Sequence, residues 1–356
     1  MYLRSGVSSN IFLTNKISNL FMDSLINHPL IITVFSVVVI IMLLIDLGIF
    51  NKKSHIISNK EAVIWSLVWI GISMIFSIFI YIMTNETSGL EKFAQFQSAY
   101  WIEKALSVDN LFVFILVFGF FNVPREFHHK VLFWGILGAL VMRAIFIFSG
   151  AGLINVTYLP EMILFGKSVS INVVLTLFGV FLIYAGIKSW FADEDDDEKD
   201  FSKSPGAKFI YKFFKVSKEF DKDKFFTIEN GVKLATPLLV VVAVIEFTDL
   251  LFAVDSIPAI FAIAPNDPFI LYTSNIFAIL GLRSLYFLLA NFIHMFSRLK
   301  YGLAIILSFI GLKMVVSPFF HISSPLSLAV VGGVLILSVL SSIYFPIKGN
   351  TDTDIN

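Results

Sequence analysis

Six acidic residues, Asp46, Glu103, Asp109, Glu246, Asp249 and Asp255, stand inside or at the edge of runs that are otherwise apolar. Two of them share a local setting: "LSVDN" (Leu106 to Asn110) and "FAVDS" (Phe252 to Ser256) each place an aspartate before an amide or a hydroxyl. Carboxylate, amide and hydroxyl oxygens are hard donors suited to Mg²⁺, Ca²⁺ or Mn²⁺, whereas Zn²⁺ and Cu⁺ recruit imidazole or thiolate. The chain has no cysteine, and its six histidines (28, 55, 128, 129, 294 and 321) fall at or near the ends of the apolar runs. The expected chemistry is therefore the binding of a hard divalent cation. Asp109 and Asp255 would be its central ligands, with Glu103, Asp249, Asn110, Ser256 and Glu246 around them and Asp46 as a secondary candidate.

Bases accompany these acids: Lys104, Arg143, Arg283, Lys188 and Lys313. An isolated charge in a bilayer costs at least about 2.5–3.5 kcal/mol on insertion scales, so pairing is required whatever the protein does. The plainer alternative makes every one of these residues a structural ion pair. That account fits Lys188 and Lys313 well, and Asp46 could simply reach water from the end of its run. It fits the aspartates less well, because structural pairing alone does not call for the same acid, polar neighbour and arginine twice.

The elements that carry these residues follow from composition. The chain is 57% hydrophobic and only 15% charged, has a mean hydropathy of +0.85 and contains 40 phenylalanines. These values lie far from those of a soluble domain. Apolar runs of about the 20 residues that a spanning helix needs occur near 30–50, 62–83, 100–121, 131–154, 171–191, 235–263, 269–293, 301–317 and 326–346. They are continuous rather than alternating, which predicts an all-α integral membrane protein with nine transmembrane helices and not a β-barrel. The first run is too long for a cleaved signal peptide. Lys and Arg concentrate in the connections near 51–61, 122–130, 192–234 and 294–300. By the positive-inside rule the N-terminus is outside and the C-terminus cytosolic.

Aligning the two aspartate motifs pairs Asp109 with Asp255, Asn110 with Ser256 and Glu103 with Asp249. Downstream, "ILGALVMRAIF" and "IFAILGLRSLY" pair Arg143 with Arg283, and "YAGIKSW" and "FIGLKMV" pair Lys188 with Lys313. Three helices per copy is an odd number, so the second copy crosses in the opposite sense. Inverted repeats of this kind place substrate sites near the bilayer midplane, often beside interrupted helices. Pro258 is one candidate interruption, since it cannot donate to the carbonyl of Val254. The resulting division is 1–98 (N-terminal segment and two spans), 99–191 (first repeat), 192–234 (cytosolic charged loop), 235–317 (second repeat) and 318–356 (last span and tail).

The stretches "YWIEKALSVDNLFVF", "GILGALVMRAIFI", "ATPLLVVVAVIEFTDLLFAVDSIPAIFAI", "TSNIFAILGLRSLYF" and "FIGLKMV" resemble the TerC family of bacterial membrane proteins, its Alx group included, from about residue 35 to 346. The resemblance implies a multi-span inner-membrane protein related to the LysE-type transporter fold, linked to tellurite resistance and manganese export. It raises Asp46 among the candidates. Tellurite itself is an anion that these acids would repel, so Mn²⁺ is the expected cargo.

No GxGxxG, Walker sequence or HExxH occurs, and neither a prosthetic group nor a nucleic-acid partner is expected. An intramembrane aspartyl protease would use paired aspartates as acid and base, but its GxGD signature is absent. The protein is not expected to be an enzyme. The competing reading is a non-transporting membrane scaffold or stress-response subunit. The loop after 191 opens with "DEDDDEKD" and continues as "KFIYKFFKVSKEFDKDKFF", which reads as a solvated acidic turn followed by a short helix resting on the membrane surface.

Overall fold

Long apolar runs with no water to satisfy their backbone fold as helices, and helices dominate the structure. A computed structural model describes residues 28–50, 58–84, 88–160, 162–164, 167–191, 200–229, 231–291, 299–320 and 322–344; within these, the side chains of residues 46–50, 109, 112, 164, 167–168, 254–255 and 291 lie outside the description. The helices are α1 (Pro29–Phe50), α2 (Asn59–Thr84), α3 (Gly89–Phe120), α4 (Arg125–Val156), α5 (Val173–Phe191), α6 (Pro205–Phe213), α7 (Pro237–Phe261), α8 (Pro268–Leu280), α9 (Leu282–Asn291), α10 (Leu299–Val316) and α11 (Ser324–Tyr344). Two short antiparallel hairpins interrupt them: β1 (Met162–Leu164) with β2 (Lys167–Val169), and β3 (Phe226–Glu229) with β4 (Val232–Ala235).

Among the described residues six helices, α2, α4, α5, α7, α10 and α11, are long and apolar enough to cross a bilayer, and α8 with α9 makes up to seven. Among the described residues, each of the nine expected runs is helical over most of its length. The two beyond that count are α1, whose described apolar part ends at Ile45, and α3, which carries Glu91, Lys92, Glu103, Lys104 and Asp109 along its length. At 1.5 Å per residue the 32 residues of α3 extend about 48 Å, well past a hydrocarbon core of about 30 Å.

The expected interruption at Pro258 is corrected. Helix α7 runs unbroken from Pro237 to Phe261 with Pro258 in its last turn, where a missing donor costs one hydrogen bond and no long continuation is lost. The break falls instead at Gly281, between α8 and α9, which meet at 43°. A larger residue there would displace Lys104: a Cβ on Gly281 would stand 2.7 Å from Lys104 Nζ and 3.3 Å from Trp69 Cβ.

Close helix contacts elsewhere also rest on glycine. A Cβ on Gly179 of α5 would sit 2.8 Å from the carbonyl oxygen of Gly311 on α10. Several buried polar side chains find partners within the bundle, which offsets the cost of placing them there. Gln97 donates to Ser77 Oγ at 2.7 Å and accepts from Trp101 Nε1 at 3.1 Å. At one end of α3, Lys92 pairs with Asp267 at 2.7 Å, and Asp267 also caps α8 by accepting from the Ile270 amide. The segment between α6 and α7 is fastened to α4: Lys130 Nζ lies 2.9 Å from Asp223 Oδ2, and Trp134 meets Phe225 edge-on.

Candidate functional site

Helices α3, α4, α7 and α8 converge on one buried polar cluster. Glu103 on α3 is fully buried and Arg143 on α4 is 1% exposed. Arg143 Nη1 lies 2.6 Å from Glu103 Oε1 and donates to Asn275 Oδ1 on α8 at 2.9 Å. Asn275 Nδ2 in turn donates to Glu103 Oε2 at 2.9 Å, and Ser107 Oγ donates to Glu103 Oε1 at 3.1 Å. The amide of Asn275 is thus oriented by charge, its oxygen toward the guanidinium and its nitrogen toward the carboxylate. On the far side Arg143 Nη2 stands 3.8 Å from Asp249 Oδ1 on α7. Among the described residues Arg143 Nη2 and Nε make no hydrogen bond, so the Asp249 contact is a charge contact with room to tighten.

Two carboxylates therefore share one guanidinium in a region closed to water. Glu246, one turn before Asp249 on α7, adds a further acid: its carboxylate rests on the α4 backbone at Gly138, a position where any Cβ would collide with it. Ser256 is 2% exposed and its hydroxyl has no hydrogen-bond partner among the described residues. An unsatisfied buried hydroxyl is costly and is the kind of group that a bound ligand would complete.

The expected site residues divide as follows. Glu103, Asp249 and Arg143 are brought together, with Glu246 beside them on α7. Asn110 and Ser256 are buried on the helices predicted to hold them. The side chains of Asp46, Asp109 and Asp255 lie outside the described residues, although all three positions are helical. Arg283 is buried just after the Gly281 break. The presumed pairing partners diverge most in the third helix of each copy. Lys313 is buried and donates to Ser327 on α11 at 2.8 Å, while Lys188 stands exposed on α5 and forms no ion pair among the described residues. Among the described residues no three His, Cys, Asp or Glu side chains are grouped to hold a metal ion.

One residue of the site was not anticipated, and Lys104, expected to pair with the acids, makes a different contact. Asn275 links the acid of α3 to the base of α4, and its only signal in sequence is a polar amide in the run "YTSNIFAIL". Lys104 turns away from the acids and donates to the carbonyl of Ala278 at 3.2 Å. That carbonyl lies at the α8–α9 break, so Lys104 holds the bend that sets Asn275 on one side and Arg283 on the other. Lys104→Met is expected to lower the melting temperature in detergent by removing a charge-assisted hydrogen bond, of the order of 1.5–3 kcal/mol. An unchanged melting temperature would show that the bend holds without it.

The model of the integral membrane protein TerC family matches residues 88–349, which include every helix of the cluster. The chain belongs to the TerC family. Relatives named "Putative membrane-bound redox modulator Alx" in Salmonella typhi and in Escherichia coli (strain K12) are 41% identical over 320 residues, covering 88% of this chain and 94% of their own length. The "Uncharacterized membrane protein STKORF319" of Myxococcus xanthus is 41% identical over 309 residues, 87% of this chain and 90% of its own. No solved structure matches the chain. As a TerC-family member the protein is a multi-pass integral membrane protein in contact with lipid.

Proposed function

We propose that this TerC-family protein exports a hard divalent cation, Mn²⁺ above the others, across the bacterial inner membrane by alternating access between two inverted repeats. The observation that carries the reading is the convergence of Glu103 and Asp249, one acid from the first helix of each copy, on one buried guanidinium, that of Arg143. Two carboxylates facing one guanidinium offer more acid than base, which a divalent cation would balance, and Glu246 places a further acidic side chain beside them. Asp109 and Asp255, one turn or more along the same helices, are the central ligands in this proposal, with Asn110 and Ser256 beside them. With metal bound the arginine gives up part of its hold; when metal leaves, it returns.

The neighbour relations of the helices support the repeat. If α3, α4 and α5 are exchanged with α7, α8–α9 and α10, the contact of α3 with α8 becomes that of α7 with α4, and both occur. The contact of α5 with α7 becomes that of α10 with α3, and both occur as well. The contacts α3–α7, α4–α8 and α5–α10 map onto themselves. Nine spans with an external N-terminus complete the proposal. A reporter fused in the 192–234 loop should read cytosolic and one near 160 external; the same side for both would remove the inverted repeat.

The relatives' name raises a second reading, a redox-modulating or stress-response role without transport. No cysteine occurs in these 356 residues, so no thiol of this chain could be the redox group. A redox effect would then follow from the supply of a metal ion. Purified protein in vesicles, tested for flux of Mn²⁺, Ca²⁺, Mg²⁺ and tellurite side by side, decides between the readings. Saturable Mn²⁺ flux is expected. No flux of any ion above that of empty vesicles would leave the scaffold reading.

A further inference from the structure

Helix α6 lies against α7, and its outer surface is unpartnered among the described residues. Its Gly206, Ala207 and Ile210 are buried, and Gly206 meets the main chain of Ala243 and Val244 so closely that no side chain could stand there. Ala243 is about 9 Å along α7 from its first residue. Because α7 is long and apolar enough to cross the membrane, a helix fastened about 9 Å from its end would lie near the depth where acyl chains meet headgroups.

The exposed part of α6 is sorted by chemistry. Phe209 and Phe213, four residues apart, stand side by side with ring centroids at 5.0 Å, and are 60% and 61% exposed. Lys208 and Lys212, also four apart, are exposed along the next edge, and Lys212 Nζ reaches over the Phe213 ring at 5.8 Å. At 100° per residue the phenylalanine edge falls between the buried stripe and the lysine edge. Lys215 and Lys233 continue the basic rim, the latter 4.5 Å over Phe226, which packs on Phe214. No acidic residue occurs between Lys203 and Lys218.

We infer that this face is a docking surface for anionic phospholipid, with Phe209 and Phe213 inserted among the upper acyl carbons and Lys208, Lys212 and Lys215 on the phosphate headgroups. A neutral lipid surface would satisfy the rings and leave the lysines without counter-charge. A water-facing helix would expose two adjacent phenylalanines at a site 9 Å or so along a spanning helix. Both edges are answered only by negative headgroups above acyl chains.

The chain's lack of cysteine permits a direct test. Phe209→Cys in the full-length protein gives a single labelling site for a fluorophore, and Lys203→Cys, whose side chain is 79% exposed, gives a solvent reference. Each is placed in bilayer discs of phosphatidylcholine carrying a trace of shallow spin-labelled phosphatidylglycerol or phosphatidylcholine. The label at 209 should be quenched by lipid-borne spin and little by aqueous iodide, and the label at 203 the reverse. At 209 the anionic quencher should be preferred about tenfold or more, since each lysine near an anionic surface adds roughly a fivefold factor. Lys208→Gln, Lys212→Gln and Lys215→Gln together in the Phe209→Cys chain should bring that ratio near one. Equal quenching by the two lipids in the chain with its lysines intact would overturn the anionic preference. Dominant iodide quenching at 209 would place the helix in water. Protection from both quenchers would put a protein there, either the acidic segment 193–197 or a second copy, and equally overturn the proposal.

Discussion

Asp109→Asn and Asp255→Asn should each lower divalent-cation flux by about 100-fold or more while leaving the amount of protein in the membrane near that of the unmodified chain. Asparagine keeps the volume and one oxygen donor but removes the charge that a hard cation requires. Even residues that only support a metal ligand typically cost 10–100-fold when replaced. The loss should come from binding and not from folding, because an amide is cheaper than a carboxylate to keep in a membrane interior. Flux measured in vesicles at matched protein density checks both parts. Glu103→Gln should behave differently: Glu103 accepts from Arg143, Asn275 and Ser107, so its loss should reduce stability as well as flux. If both aspartate variants transported at the original rate, Asp109 and Asp255 would be structural and the scaffold reading would gain.

The second large effect is expected at Arg143. Arg143→Gln leaves Glu103 and Asp249 facing each other without their shared cation, and breaking a buried pair in this way costs about 3–5 kcal/mol. The melting temperature in detergent should fall accordingly. If the arginine and the metal compete for the same carboxylates, Mn²⁺ should restore stability by mass action, with a steeper dependence on concentration than in the unmodified protein. Transport by the variant should then show tighter cation binding and slower release, because no internal cation takes the metal's place. A variant that is destabilised but responds to Mn²⁺ no more than the unmodified chain would leave Arg143 as a plain counter-ion. Asn275→Ala offers a graded comparison. It removes the bridge between Glu103 and Arg143 yet keeps their 2.6 Å contact, so a smaller loss is expected.

Much of the architecture was legible because membrane burial acts on composition directly. A backbone in hydrocarbon must satisfy itself residue by residue, so a long apolar run implies a helix without reference to its neighbours. The boundaries of α5, α10 and α11 fall within two residues of the runs that predict them. Helix α3 was foreshortened for the opposite reason: its first ten residues include Glu91, Lys92 and Gln97, whose polarity reads as loop until Asp267, Ser324 and Ser77 are seen to satisfy them. The break at Gly281 was displaced onto Pro258 because proline has an intrinsic effect on a helix, whereas a glycine break depends on what lies opposite. Opposite Gly281 are Lys104 and Trp69, from two other helices.

The amino-acid sequence by itself determined the medium, the helical class, the family and the pool of acids and bases able to do chemistry. Each depends on residue type and on spacing along one chain. Tertiary structure decided which members of that pool meet. Arg143 lies on Glu103 and Asp249, Lys104 turns to a main-chain carbonyl, and of the matched lysines one is buried on Ser327 and the other exposed. Such choices are fixed by the azimuth of each residue on its helix and by the register of helices far apart in sequence. The Glu103 to Asn275 bond joins residues 172 positions apart, and no local pattern carries that distance.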